Sequence, residues 1–523
     1  MKKDIKAANL VNLKFIFCLS ILFAYVSVIA QKKVLYPKLE KSQYNIGYKT
    51  IIDFDSSRTY KLNYPNDTSS LTHDPRPIIT SIWYPANISK ADKAMLYGDY
   101  IKVQSKDPKL KTFLKRIEDY NALSSSQCMF DVDDPDEEQK KMVPKHLKQP
   151  IEVFKNATPV NMKFPLVIYH PGLGGTLNDN TVLCEYLASN GFVVMSGAFQ
   201  ANDYKYVDLD WDLERSTKDI GFMLNAIKNL PFVDFSKIAA IGHSFGAQAV
   251  LGYKTQNALP ISCLIILDST VDYAFDAKPE NFKRLTDKLY KKIDNMNVPM
   301  LVFAAPDATF KVMDSLSHAE RIYATIELEH NEYTSLTSYA ILNGLQERDD
   351  NETVWAKYTL INKYCLNYLK HTLFNDTSAK NFILSKHTQL VKVYEIPKGS
   401  SLYTLTPEYS DYSKPPSYLQ FQKLLTGRKK EVIDKIIQTN PDHLSEDVIN
   451  SAGYTFLKRD IDFAFYLFQK NVESHPKSSN VYDSMGEAYM IKGKKELAIK
   501  SYEKSIELNP NNKNALKMLE GLK

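Results

Sequence analysis

The sequence predicts a doubly wound α/β domain followed by an all-α module of helical repeats. Three observations carry that reading. Short, continuous apolar runs alternate with helix-period segments between Phe164 and Phe374, the pattern of parallel strands covered on both faces. After Ser417, chemically similar residues recur 33 or 34 positions apart, the spacing of stacked helix pairs. The chain, at 523 residues, is too long for one ordinary core, since a domain takes roughly 100–200 residues. Hydrophobic residues at 44% and charged ones at 24% exclude a disordered or fibrous chain.

At the N-terminus, Lys2, Lys3, Lys6 and Lys14 lead into an apolar run from Phe15 to Ala30. That run is shorter than the roughly 20 residues that cross a bilayer, and it ends on a small residue. Residues 1–30 are expected to be a secretory signal peptide cut near Ala30, so the protein is expected to be exported, either secreted or periplasmic. An uncleaved N-terminal membrane anchor is the alternative, because Val28 puts no small residue at the third position before the cut. Cys18 follows Phe17, a poor context for lipid attachment. Loss of the segment removes four Lys and one Asp from a net charge of +5 and leaves +2. A balance so near zero excludes a nucleic-acid partner. Cys128, Cys184, Cys263 and Cys365 remain without a Cys-x-x-Cys spacing, which argues against a zinc site or a dense disulfide framework.

Residues 31–393 are read as one α/β domain. Ile78–Pro85 is rich in β-branched and aromatic residues and is expected to be a strand stopped by its proline. From Ser89 to Pro159 the chain is rich in Lys, Asp and Glu, and a partly helical insertion is expected there, with helical pieces at Tyr97–Val103 and Leu110–Tyr120. It is either a solvated excursion or a rim over an active site. Leu166–Tyr169, Phe192–Met195, Ile238–Ile241, Leu264–Leu267 and Met300–Phe303 are the expected buried strands. Asn180–Asn190 and Leu213–Leu230 have helical spacing, with Gly191 after Asn190 as a C-cap, and an amphipathic helix from Val354 to about Phe374 closes the domain. Residues 394–417 carry several Pro, Ser and Tyr residues without a period and are expected to be a linker or a docking strap.

Beyond the linker, Gly453 pairs with Gly486, Phe456 with Tyr489, Ala464 with Ala498, Phe468 with Tyr502 and Pro476 with Pro510. With the order Tyr482, Met485-Gly486, Tyr489, Ala498, Tyr502, Pro510, residues 418–523 resemble tetratricopeptide repeats. A third, degenerate helix pair is expected at Tyr418–Pro441, because two units alone bury little core. The resemblance implies a protein partner on the exposed face of the repeats.

The strand Ile238–Ile241 runs directly into Gly242-His243-Ser244-Phe245-Gly246 and then into the small-residue helix Ala247–Leu251. A G-x-S-x-G motif alone is a weak signal. Between a strand and a helix it describes the nucleophile elbow of an α/β-hydrolase fold, in which glycines stand where side chains would clash and the serine oxygen is presented at the end of the sheet. Acyl transfer also needs donors for a developing oxyanion. One is the backbone N–H of Phe245; the other is expected from the loop His170-Pro171-Gly172-Leu173-Gly174-Gly175, after the strand Leu166–Tyr169, with the N–H of Leu173 as candidate. That loop lacks the Gly-Lys-Ser/Thr ending and the dinucleotide spacing of phosphate cradles.

The base in this fold is a histidine late in the chain. Among His318, His330, His371 and His387, only His330 follows a strand-like run directly, Ala324–Leu328. Two aspartates stand at strand ends where an orienting carboxylate is expected: Asp268 after Leu264–Leu267 and Asp307 after Met300–Phe303. This chemistry requires neither metal nor cofactor.

Tyr169-His170-Pro171-Gly172-Leu173-Gly174, Gly242–Gly246, Leu267-Asp268, Glu329-His330-Asn331 and the early Trp83-Tyr84-Pro85-Ala86 together resemble the plasma-type, calcium-independent platelet-activating-factor acetylhydrolases and their bacterial relatives, which shade into dienelactone-hydrolase-like proteins. The resemblance runs from about Pro77 to Phe374. It implies a triad of Ser244, Asp268 and His330, with Asp268 preferred to Asp307. It also implies an ester substrate with a short or oxidised acyl group on a phospholipid, met at the membrane surface only. Pro171, the charged insertion and the appended repeats depart from the mammalian members. A peptidase or lactone hydrolase on the same scaffold, and a non-catalytic platform serving the repeats, are the alternatives.

Overall fold

The computed structural model describes residues 43–60, 74–132, 134–198, 209–256, 260–269, 292–306, 310–346, 348–385, 390–457 and 460–522, together with Leu39, Val271, Asp287 and Ala308. The expected signal segment, Asp307 and His387 lie outside the described residues. Two compact units divide the chain. The first comprises residues 1–206, 219–239 and 328–373, and the second residues 207–218, 240–327 and 374–523.

The first unit holds strands β1 (Asn45–Tyr60), β2 (Asp74–Asn87), β3 (Ala94–Leu96), β4 (Pro150–Lys155), β5 (Thr158–Pro159), β6 (Phe164–His170) and β7 (Val193–Ser196). They run in the order β6-β7-β2-β1-β4-β3, with β5 on β2. β6 and β7 are parallel, Leu166 opposite Val193, and every residue of both is buried. Such strands must be apolar throughout, which is why Leu-Val-Ile-Tyr and Val-Val-Met stand out in the sequence.

Pro85 does not stop its strand. It pairs with Ile46 in the antiparallel β1–β2 ladder, and its carbonyl accepts from Val160 N–H at 3.0 Å. Proline lacks a donor but keeps its acceptor, so the ladder continues where no donor is required of it. The insertion is also more than helix. Ile46 lies opposite Val153 in the parallel β1–β4 pair, and β3 adds to β4. Its helices are Lys111–Phe130, which continues ten residues past the expected Tyr120, and Glu137–Leu147, started by Asp136 in a capping box with Gln139.

β8 (Val233–His243) gives its first residues to the first unit and Ala240–His243 to the second. The second unit adds β9 (Ile261–Leu267), β10 (Met300–Ala304), β11 (Arg321–Ile326) and β12 (Val391–Ile396), ordered β12-β11-β10-β9-β8. β9, β10 and β11 are parallel and β12 is antiparallel to β11, Tyr323 opposite Tyr394. The expected boundary at residue 394 therefore falls inside a strand. The rest of the 394–417 segment is docked rather than loose, because Tyr409 is buried with Phe421, Leu424 and Leu425 in the first repeat core.

Helix pairs follow: Tyr418–Thr426 with Lys430–Thr439, Glu446–Leu457 with Ile461–Ser474, and Ser479–Ile491 with Lys495–Leu508, closed by Lys513–Leu522. Each recurrent glycine marks a close approach within its hairpin. A Cβ on Gly453 would lie 2.6 Å from the Phe468 ring, and one on Gly486 would lie 2.6 Å from the Tyr502 ring.

Candidate active site

The turn after β8 is built around a strained serine. Ser244 has φ +53°, the left-handed region that a side chain disfavours by roughly 1–2 kcal/mol. Gly242 makes that turn sterically feasible: a Cβ there would lie 2.3 Å from the carbonyl oxygen of Gly246 and 2.5 Å from the nitrogen of Ala247. The helix Phe245–Gln256 starts immediately after the serine, and Ala247 N–H donates to the Ser244 carbonyl at 3.1 Å. Ser244 thus sits at the positive end of a helix dipole, where an alkoxide or oxyanion is favoured.

The next strand end supplies a carboxylate. Ser244 N–H donates to the Leu267 carbonyl at 3.0 Å, which sets the serine beside Asp268. Asp268 is itself left-handed, φ +48°, is buried, and donates its N–H to the Phe303 carbonyl at 2.9 Å. The second unit therefore brings Ser244, Phe245 and Asp268 to neighbouring strand ends.

Leu173 and His330 belong to the first unit. The loop carrying Leu173 follows β6, and Leu173 itself is 47% exposed. Its neighbours are pinned by the insertion: Tyr120 Oη donates to the Gly174 carbonyl at 2.7 Å, and Leu177 N–H donates to Asn121 Oδ1 at 2.8 Å. Burial holds the His170 imidazole below its usual range, so it stays neutral with Nδ1 2.8 Å from the Pro171 carbonyl. At the far end of the loop, Tyr169 Oη donates to Asp179 Oδ2 at 2.6 Å, while burial pushes the Asp179 carboxyl up to about 6.

His330 is half-buried and opens a short 3₁₀ turn, His330–Tyr333. The turn is fixed from both sides. Glu329 N–H donates to Glu332 Oε2 at 2.8 Å, and Glu332 N–H returns to the Glu329 carbonyl at 2.9 Å. Arg348 pairs with Glu332, with Asp350 at 2.8 Å and with Glu329 at 3.5 Å. Burial raises the Glu332 carboxyl in spite of that guanidinium. Sequence reasoning missed Tyr120, Asn121 and Arg348, since nothing local marks a tyrosine 54 positions before the carbonyl it holds. Cys128, Cys184, Cys263 and Cys365 are free thiols.

A mixed α/β chain with a serine on a strained strand-to-helix turn, followed by helical repeats, is thus the class that fold and site define. Residues 484–512 match the tetratricopeptide repeat family. No curated protein matches the chain by sequence. Among solved structures, a ferulic acid esterase from Streptomyces cinnamoneus is similar at 17% identity and a TM-score of 0.47, over 67% of this chain and 97% of that one. So distant a likeness carries no argument about activity.

Proposed function

We propose that the chain is a serine carboxylic-ester hydrolase of the α/β-hydrolase type. The observation that carries this reading is Ser244 itself: a left-handed serine at a helix N-terminus, in a turn where position 242 admits glycine alone. The combination of that backbone with a strand before it and a helix N-terminus directly after it presents the serine hydroxyl as a nucleophile elbow does.

In this reading, His330 takes the Ser244 hydroxyl proton as Oγ attacks the ester carbonyl. The N–H groups of Phe245 and Leu173 hold the resulting oxyanion. Collapse breaks the ester C–O bond, and His330 gives its proton to the leaving alkoxide. Water, deprotonated by the same imidazole, then attacks the acyl-enzyme and releases Ser244. Asp268 keeps His330 in the productive tautomer and stabilises the imidazolium. The motif resemblance extends the reading to short or oxidised acyl groups of phospholipids, and the basic, apolar N-terminus to export. A non-catalytic platform is the rival. Residues 484–512, as a tetratricopeptide repeat, add a protein partner to either reading.

A panel of short-chain aryl esters and oxidised phospholipids tests the proposal. Ser244→Ala should fold as the parent does and lose turnover by roughly 10⁶-fold. Retention of more than about a tenth of the parent rate would make the turn structural and the enzyme assignment wrong.

A further inference from the structure

The repeat module holds two carboxylates that form no ion pair with a described residue. Asp483 and Glu487 lie one turn apart on the helix Ser479–Ile491, so they share a face. Helices on either side reach them with neutral donors only. From Glu446–Leu457, Tyr454 Oη donates to Glu487 Oε2 at 2.9 Å. From Lys513–Leu522, Asn514 Nδ2 lies 2.9 Å from Asp483 Oδ2 and 3.0 Å from Glu487 Oε1. Neither carboxylate forms an ion pair with a described residue, whereas other acids of the module do, such as Asp434 and Asp460.

Two buried oxygens in the same cluster lack a hydrogen-bond partner. Asp483 is only 9% exposed; Asn512 stands beside its carboxylate as a further neutral donor, and its Oδ1 has no close hydrogen bond. Tyr502 is fully buried behind Gly486; its Oη is likewise unpartnered and lies within electrostatic reach of Asp483, Glu487 and Tyr454. Unmet polar atoms beside an uncompensated negative pair are costly unless something positive and hydrogen-bonding completes them.

We propose that the repeat module binds a partner protein through a lysine or arginine side chain seated on Asp483 and Glu487. A basic side chain matches the charge of the pair and can donate to the half-buried Glu487 carboxylate at its mouth. An organic cation fits better than a bare metal ion, because no group of three metal-ligating side chains occurs among the described residues. The proposal is independent of the hydrolase reading.

The test uses the full chain, immobilised, and pools of acetylated, amidated dodecapeptides with a fixed central Lys, Arg, norleucine or Glu and uncharged random flanks. Wild type should retain the Lys or Arg pools about tenfold over norleucine. Glu487→Gln, which keeps an acceptor for Tyr454, and the pair Asp483→Asn with Glu487→Gln should abolish that preference at unchanged thermal melting. Glu487→Lys should turn it towards the Glu pool. Equal retention of Lys, Arg and norleucine pools by wild type, or an unaltered basic preference in Glu487→Gln, overturns the proposal.

Discussion

Glycine serves opposite ends in the two best-defined regions of this chain. At Gly242 an added Cβ would strike backbone, the Gly246 carbonyl at 2.3 Å, whereas at Gly453 and Gly486 it would strike the rings of Phe468 and Tyr502 at 2.6 Å. Backbone inside a turn cannot step aside; a ring at a helix interface can tilt. The turn is shaped around one residue. The hairpin contact is a packing solution, stamped twice with the same partner geometry. A backbone clash thus fixes the candidate nucleophile's turn, and repeated ring contacts fix the scaffold.

The largest effect expected from that contrast is chemical. If Asp268 orients His330, Asp268→Asn should cut ester turnover by roughly 10⁴-fold, while Asp307→Asn costs far less. Steady-state rates of both variants at equal folded yield decide it, and the reverse ranking moves the orienting carboxylate to the later strand. Next comes the turn. Gly242→Ala should destabilise the fold by about 3 kcal/mol or more, read by urea denaturation, because only backbone displacement relieves the clash.

Third is a pH effect in the loop that carries Leu173. A carboxyl raised to about 6 in the fold binds its proton more tightly there than in the unfolded chain, where it titrates near 3.9. Its stabilising contribution is therefore complete below about pH 4 and lost as pH rises through 6, a fall of about 3 kcal/mol. Asp179→Asn should flatten that part of the stability curve; an unchanged slope would remove Asp179 as its source. The smallest effect belongs to the scaffold. Gly486→Ala should cost about 1 kcal/mol, since overpacking against Tyr502 is partly offset by alanine's helix propensity. A cost equal to that of Gly242→Ala would erase the distinction between the two glycines.

What is legible in the sequence follows the same division. β6, β7, β9 and β10 show themselves because a strand buried on both faces has no room for polar residues. The repeat hairpins show themselves because their ring-to-glycine contacts recur at fixed spacing. β12 escapes notice, since Val391–Ile396 is interrupted by Lys392 and Glu395 and buries only Ile396 fully. β4 is hidden in a charged stretch for the same reason, its buried Ile151 and Val153 separated by an exposed Glu152. Within the candidate site, the Ser244 turn is local and therefore readable, motif and flanking elements lying within about twenty residues. The choice between Asp268 and Asp307 is not local: both stand after apolar strands, and spacing does not separate them. Tyr120, Asn121 and Arg348 act through contacts that only tertiary structure creates.

Covalent labelling tests whether Ser244 is an activated nucleophile without knowledge of the substrate. The full chain would be treated with a fluorophosphonate at neutral pH and the modified peptide located by mass spectrometry. One stoichiometric adduct is expected, on Ser244, absent from Ser244→Ala and slowed in Asp268→Asn. A folded protein that stays unlabelled, or that is labelled equally in Ser244→Ala, would contradict it.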